Sequence, residues 1–128
     1  MTQQTHIIRL DEMTLTSLGG VLGLASPLVR RVISLYRQES EKMVHGIEKA
    51  LGDGDIDAAF RAAHSLKSSS MSIGARALSQ LAAQLETLSK QGQLQQALEC
   101  VLLLRAEHCQ LMEELVFFEQ KILTIEQR

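Results

Sequence analysis

The 128-residue sequence predicts an all-α fold, an up-down antiparallel four-helix bundle with a short N-terminal capping helix, and three observations carry that prediction. Aromatic residues make up only 3% of the chain against 45% apolar residues in all. The core must therefore be filled by Leu, Ile, Val, Ala and Met, which suits helix-on-helix packing better than a sheet sandwich. Apolar residues recur at three- and four-residue steps over long stretches. Boundaries of only a few residues separate those stretches, and connections that short force neighbouring helices to run antiparallel. With no proline-rich linker, low-complexity stretch or internal repeat, residues 1–128 read as one domain.

The elements follow in order. Ile7, Leu10, Met13, Leu15 and Leu18 make a short amphipathic segment, broken by Gly19, Gly20 and Gly23, which is expected to close one end of the bundle. Ser26-Pro27 then reads as an N-cap followed by proline at the first helical position, where the missing N–H costs nothing. From there Leu28, Val32, Leu35, Tyr36, Met43, Ile47, Ala50 and Leu51 form the predicted stripe of a long helix that Gly52 stops. Asp53 or Asp55 caps the next helix, whose stripe is Ile56, Ala59, Phe60, Ala63, Leu66, Ser70 and Ile73. After a tight turn at Gly74, Ala77, Leu78, Leu81, Leu85 and Leu88 mark a helix ending at Gly92.

The last helix begins near Gln93, and its seam runs Leu94, Ala97, Val101, Leu104, His108, Leu111, Leu115, Phe118, Ile122 and Ile125. At 1.5 Å per residue it is about 48 Å long, against about 37 Å for the long helix that starts at Pro27. It should overhang. The apolar Val116-Phe117-Phe118 on that overhang needs a cover, for which the N-terminal segment is the expected source and another chain the alternative.

Charge and cysteine usage exclude several functions. A formal net charge of −2 gives no general attraction to nucleic acid or anionic lipid, although Arg30 and Arg31 make a local basic spot. The start lacks a cationic region before a long apolar run, and Val101 to Leu104, the longest aliphatic run, is far too short to span a bilayer. No membrane association is expected, and a cytoplasmic location is. Cys100 and Cys109 fall on roughly opposite faces of one helix, about 13 Å apart along its axis, and read as free thiols with no metal or redox role.

The segment RAAHSLKSSSMSIGA, residues 61–75, carries the chemistry. On a helix His64, Lys67, Ser68 and Met71 share one face, beside the buried stripe and outside it. An imidazole with an ordinary pKa near 6.5 is mostly neutral at pH 7, with a lone pair free to attack phosphorus. Lys67 lies one turn on, close enough to neutralise a transferred phosphoryl group, and Ser68 is too small to block the approach. Ser65 and Ser69 are additional hydrogen-bond donors. Between Phe60 and Ser72 there is no acid, and Asp57 is two turns away, so no carboxylate is expected nearby and no base is poised to activate water. A phosphohistidine here should persist. A helical histidine with lysine at i+3 is also a common solvated surface pair, and His45 and His6 show that ordinary case. His108, inside the apolar seam, reads as a packed core residue.

AHSLKSSSMSIGA resembles the signature of the histidine-containing phosphotransfer (HPt) domain family, His-x-Leu-Lys-Gly/Ser-Ser followed by Gly-Ala. Leu85-Glu86 resembles a second, weaker element, and the similarity extends over about residues 8 to 115. Ser68 stands where the family often has glycine, a variant the family also uses. The resemblance implies that His64 is the phosphorylated nucleophile, Lys67 the phosphoryl-stabilising cation, Ser68 the small access residue and Gly74 the turn residue. It also places Glu86 where some members set a glutamine against the imidazole, where it would accept from Nδ1 and leave Nε2 to attack. An exposed helical acid is the other reading of Glu86.

The function so implied is a cytoplasmic phosphorelay intermediate, a monomer that shuttles a phosphoryl group between receiver-domain aspartates. Its partners would be response-regulator receiver domains and a hybrid sensor histidine kinase, docking around His64 and Met71. The chain itself needs no cofactor, because magnesium belongs to the receiver, and no autokinase or ATP-binding activity is expected. Two alternatives compete. The phosphoacceptor domain of a sensor histidine kinase usually has an acid directly after its histidine and a proline soon after, whereas here Ser65 follows and Pro27 is the sole proline. A non-catalytic adaptor bundle would have the fold without the chemistry.

Overall fold

The structure, a computed structural model, describes residues 9–126, with side chains through residue 124. His6, Ile7 and the side chain of Ile125 therefore lie outside the described residues. Helix α1 (Glu12–Leu18) and a 3-10 segment (Gly20–Ala25) precede four long helices, α2 (Pro27–Gly52), α3 (Ile56–Ser72), α4 (Arg76–Lys90) and α5 (Leu94–Glu126). The described residues are all-helical, with no strand among them. Each long helix packs against two others, α2 on α3, α3 on α4, α4 on α5 and α5 back on α2. The additional helical turn between α1 and α2 was not legible as such, since Gly19, Gly20 and Gly23 read only as a break.

The predicted caps form. Ser26 Oγ accepts from the Leu28 N–H at 3.2 Å with Pro27 opening α2, and Asp55 Oδ1, not Asp53, accepts from the Ala58 N–H at 3.1 Å to start α3. Asp53 instead ends α2, and the left-handed residue of that turn is Gly54 at φ 74°, two positions beyond the expected stop.

The buried stripe of α2 differs from the predicted one in its first half. Val29, Ile33, Tyr36, Ser40, Val44 and Ile47 face the core, while Leu28 and Leu35 are 52% and 54% exposed. Two adjacent apolar ridges occupy this part of α2, and the true seam continues through Ser40, a polar residue that the apolar pattern skips. Ser40 is buried because its hydroxyl meets His108 Nε2 at 2.9 Å across the α2–α5 interface. The same substitution of serine for an apolar residue occurs in α4, where Leu78, Ser79, Ala82, Leu85 and Ser89 are buried while Leu81 and Leu88 are only partly so. The predicted seam of α5 is buried from Ala97 to Ile122, His108 included, but Leu94 at its start is exposed.

With 33 residues against 26, α5 outruns α2, and the N-terminal segment packs on it. Arg9 pairs with Glu107 at 3.1 Å, and Glu12 approaches Lys121 at 3.8 Å. Phe118 is buried and Val116 half-buried, whereas Phe117 remains 70% exposed, so the expected cover is incomplete. Asp11, the N-cap of α1, donates its N–H to the Gly74 carbonyl at 2.9 Å and accepts from Arg76 at 2.9 Å. Gly74 is buried at φ 82°, and a Cβ there would lie 2.8 Å from the Asp11 Cβ. Glycine is required twice over, for the α3–α4 turn and for the N-terminal segment that crosses it.

Candidate functional site

Small residues let α3 and α4 approach closely. Ala59 and Ala63 of α3 and Ser79 and Ala82 of α4 are all buried, as are Leu66, Leu78 and Leu85, while the buried Ser70 hydroxyl turns to Tyr36 of α2 at 2.7 Å. The two helices run in opposite senses, since Lys67 is linked to Ser79 and His64 to Glu86. Cα–Cβ bonds tilt toward each helix's own N-terminus, so His64 and Lys67 lean one way along the groove and Glu86 leans the other. They meet. His64 Nδ1 is hydrogen-bonded to one carboxylate oxygen of Glu86, and Lys67 Nζ donates to the other at 2.7 Å.

A correction to the sequence reading follows from this geometry. Within α3 no acid accompanies His64, but the neighbouring helix supplies one, and Lys67 is already ion-paired to it. Spacing along a single helix registers only that helix's own side chains. The Lys67 ammonium, together with the His64 ring, holds the Glu86 carboxyl below the usual carboxylate range, against an opposing push from partial burial. A carboxylate on Nδ1 fixes the proton there and leaves the Nε2 lone pair free. Glu86 reaches the ring through Nδ1 and also holds Lys67, so both of its oxygens are engaged.

The His64 side chain is 59% exposed, as expected of a residue outside the buried stripe. Ser68 and Met71 are exposed on the turns that follow, and Ser65 is exposed beside the histidine. Ser69 is not part of this surface. Its hydroxyl donates to the Leu66 carbonyl at 3.3 Å and faces the Met43 sulfur of α2, which removes it from the expected set of phosphoryl donors. Gly74 ends the segment at the buried turn.

Sequence reasoning missed two features of the site. Phe60, assigned to the buried stripe, is only half-buried and stacks on the His64 ring, with centroids 6.4 Å apart and planes inclined by 16°. Its position one turn before His64 was the available signal. The second is a surface groove of about 740 Å³ along α3 and α4, lined by Phe60, His64, Glu86, Thr87, Lys90 and Gln91. Among the described residues no group of three or more His, Cys, Asp or Glu side chains is placed to hold a metal ion, and no helix is long and apolar enough to cross a membrane.

Comparison with known proteins agrees with this arrangement. No curated protein sequence matches the chain. The crystal structure of histidine-containing phosphotransfer protein B (HptB) from Pseudomonas aeruginosa is similar at a TM-score of 0.80 and 25% identity, covering 93% of this chain and 98% of that one. A rice histidine-containing phosphotransfer candidate shares the fold at a TM-score of 0.72 and 20% identity, covering 89% of this chain and 84% of its own. Residues 31–121 match the Hpt domain family, a span that includes all of α3 and α4, most of α2 and α5, and every residue of the His64 cluster. The family match covers well over half of the all-helical scaffold that presents the exposed imidazole: the chain belongs to the Hpt domain family, the histidine phosphotransfer proteins of phosphorelay signalling.

Proposed function

We propose that His64 is the phosphoacceptor, taking a phosphoryl group from a receiver-domain aspartate and passing it to another receiver. The observation that carries this reading is the contact between His64 Nδ1 and Glu86 on an otherwise exposed ring. With the proton held on Nδ1, the Nε2 lone pair attacks phosphorus in line, and the bond from phosphorus to the aspartyl oxygen breaks. Aspartate leaves as a carboxylate and no proton need move. The ring becomes a cationic N-phosphoimidazole whose charge Glu86 offsets. Lys67, swinging from Glu86 toward the new group, supplies a cation to the phosphoryl oxygens. The reverse sequence delivers the group to a second receiver.

The scaffold in this reading is an up-down four-helix arrangement, supported by the opposite senses of α3 and α4 and of α2 and α5, where Arg37 meets Glu119 and Glu48 meets Arg105. Ser68 leaves room for the incoming aspartate, and exposed Met71 extends the contact surface. Magnesium is assigned to the receiver and not to this chain, and the protein acts in the cytoplasm alongside receivers and a hybrid kinase. Incubation with phosphorylated receiver domains tests the whole reading. Acid-labile, alkali-stable label on wild type and none on His64→Ala is the expected result, and label on His64→Ala would overturn it.

A further inference from the structure

Ser79 is buried on the face of α4 that meets α3, 5% exposed. A helical serine can satisfy its hydroxyl on its own helix, at the carbonyl four residues back. Ser79 does not; its Oγ donates across the interface to the Lys67 carbonyl at 3.0 Å. Its backbone N–H alone serves the Ala75 carbonyl, at 3.0 Å. The acceptor belongs to the residue whose ammonium pairs with Glu86, and Glu86 lies two turns beyond Ser79 on the same face of α4. Lys67 is thus held to α4 at both ends, its carbonyl by Ser79 and its ammonium by Glu86.

We propose that Ser79 is a positioning residue of the His64 site, fixing the height of α4 against α3 so that one carboxylate reaches both His64 and Lys67. The inference rests on His64 being the phosphoacceptor, and it assigns to a buried hydroxyl the task of setting the ring's proton. Apolar packing between these helices uses small, interchangeable contacts and tolerates sliding. A directed hydrogen bond does not. Glu86 has to meet two partners from one rotamer, so a slip along the helix axis would cost it one of them.

Ser89 supplies the matched control, because it is a buried serine of the same helix, 2% exposed, whose hydroxyl has no hydrogen-bond partner. Nitrogen-15 spectra of the imidazole would measure the fraction of neutral His64 carrying its proton on Nδ1, and phosphoramidate would measure the labelling rate. In Ser79→Ala the Nδ1–H fraction should fall, and labelling should slow by about three- to tenfold, the loss expected of one ordinary hydrogen bond. Ser89→Ala should leave both unchanged. Wild-type values for both in Ser79→Ala, or an equal tautomer shift in Ser89→Ala, would overturn the proposal. Should Ser79→Ala not fold, Ser79→Cys keeps the volume with a weaker donor and is read in the same way. If phosphoramidate fails to label the wild type at all, the phosphoacceptor reading fails, while the tautomer fractions still decide the role of Ser79.

Discussion

Lys67 donates to Glu86 Oε1 at 2.7 Å, so the cation that shares a carboxylate with the proposed phosphoacceptor is paired before any phosphoryl group arrives. The unphosphorylated cluster, with neutral His64, carries no net charge. Arrival of the group therefore redistributes an existing ion pair instead of filling a waiting cationic pocket.

Glu86 is accordingly the most informative residue to change. Glu86→Ala should slow labelling of His64 by about ten- to a hundredfold, since one charge-assisted hydrogen bond to the ring contributes roughly 1.5–3 kcal/mol. Glu86→Gln, whose amide oxygen can still accept from Nδ1, should recover much of that loss. Faster labelling of Glu86→Ala than of wild type would show that the carboxylate's main effect is to restrain Lys67. Single-turnover rates with phosphoramidate decide between these.

Lys67→Ala should slow transfer from a phospho-receiver by about tenfold or more on the same reasoning. Stability should change little, because the ion pair it removes is partly exposed. Equal rates in wild type and variant would make Lys67 a partner of Glu86 only.

Ser68 separates access from chemistry. It is exposed one turn beyond His64, where a large side chain meets an incoming receiver but leaves a small phosphodonor room. Ser68→Gln should block receiver transfer while phosphoramidate still labels the histidine, and Ser68→Ala should match wild type in both assays. Equal loss with both donors in Ser68→Gln would place the effect on the imidazole.

His108 predicts an acid-sensitive fold. Burial above all pushes its imidazole below the ordinary histidine range, despite Glu41, whose carboxylate lies 3.5 Å from Nδ1. The unfolded chain thus takes up the proton first, and stability that is fully present above about pH 6.5 is lost as pH falls toward the lowered folded value. Urea midpoints should drop between pH 7 and pH 5, and His108→Gln should flatten that drop. An equally steep decline in the variant would assign the sensitivity to other groups.

Gly74→Ala should destabilise the protein by about 1–3 kcal/mol from the left-handed backbone alone, with a further loss from the contact with Asp11. Amide exchange at Asp11 should rise more than at core positions of α5. Uniform change across the chain would mean that the N-terminal segment does not depend on this contact.

The sequence made the long helices and most of their boundaries legible, because periodicity, glycines and caps are local signals. Ser40 and Ser79 were not legible as core residues, since a buried serine gives no apolar mark and these two are explained only by what crosses from another helix. Ser69 was misplaced for a related reason: position on α3 does not tell that its hydroxyl turns back to the Leu66 carbonyl on the side that meets Met43 of α2. Glu86 was within reach through the family resemblance, yet its simultaneous hold on His64 and Lys67 depends on the relative height of two helices. No spacing within either one contains that quantity.

The layer beneath His64 has a consequence for how a phosphorylated molecule is told apart from an unphosphorylated one. Ala63 and Leu66, on either side of the histidine in α3, are fully buried against close-packed neighbours, while the ring itself stands outside them. If Nε2 takes the phosphoryl group as proposed, the added charge meets solvent and leaves the interior contacts as they are. The protein would then have the same shape loaded and empty, and its state would be legible only to a partner that touches the histidine. Such a molecule transmits by being visited, as a courier does, and has no need to signal at a distance.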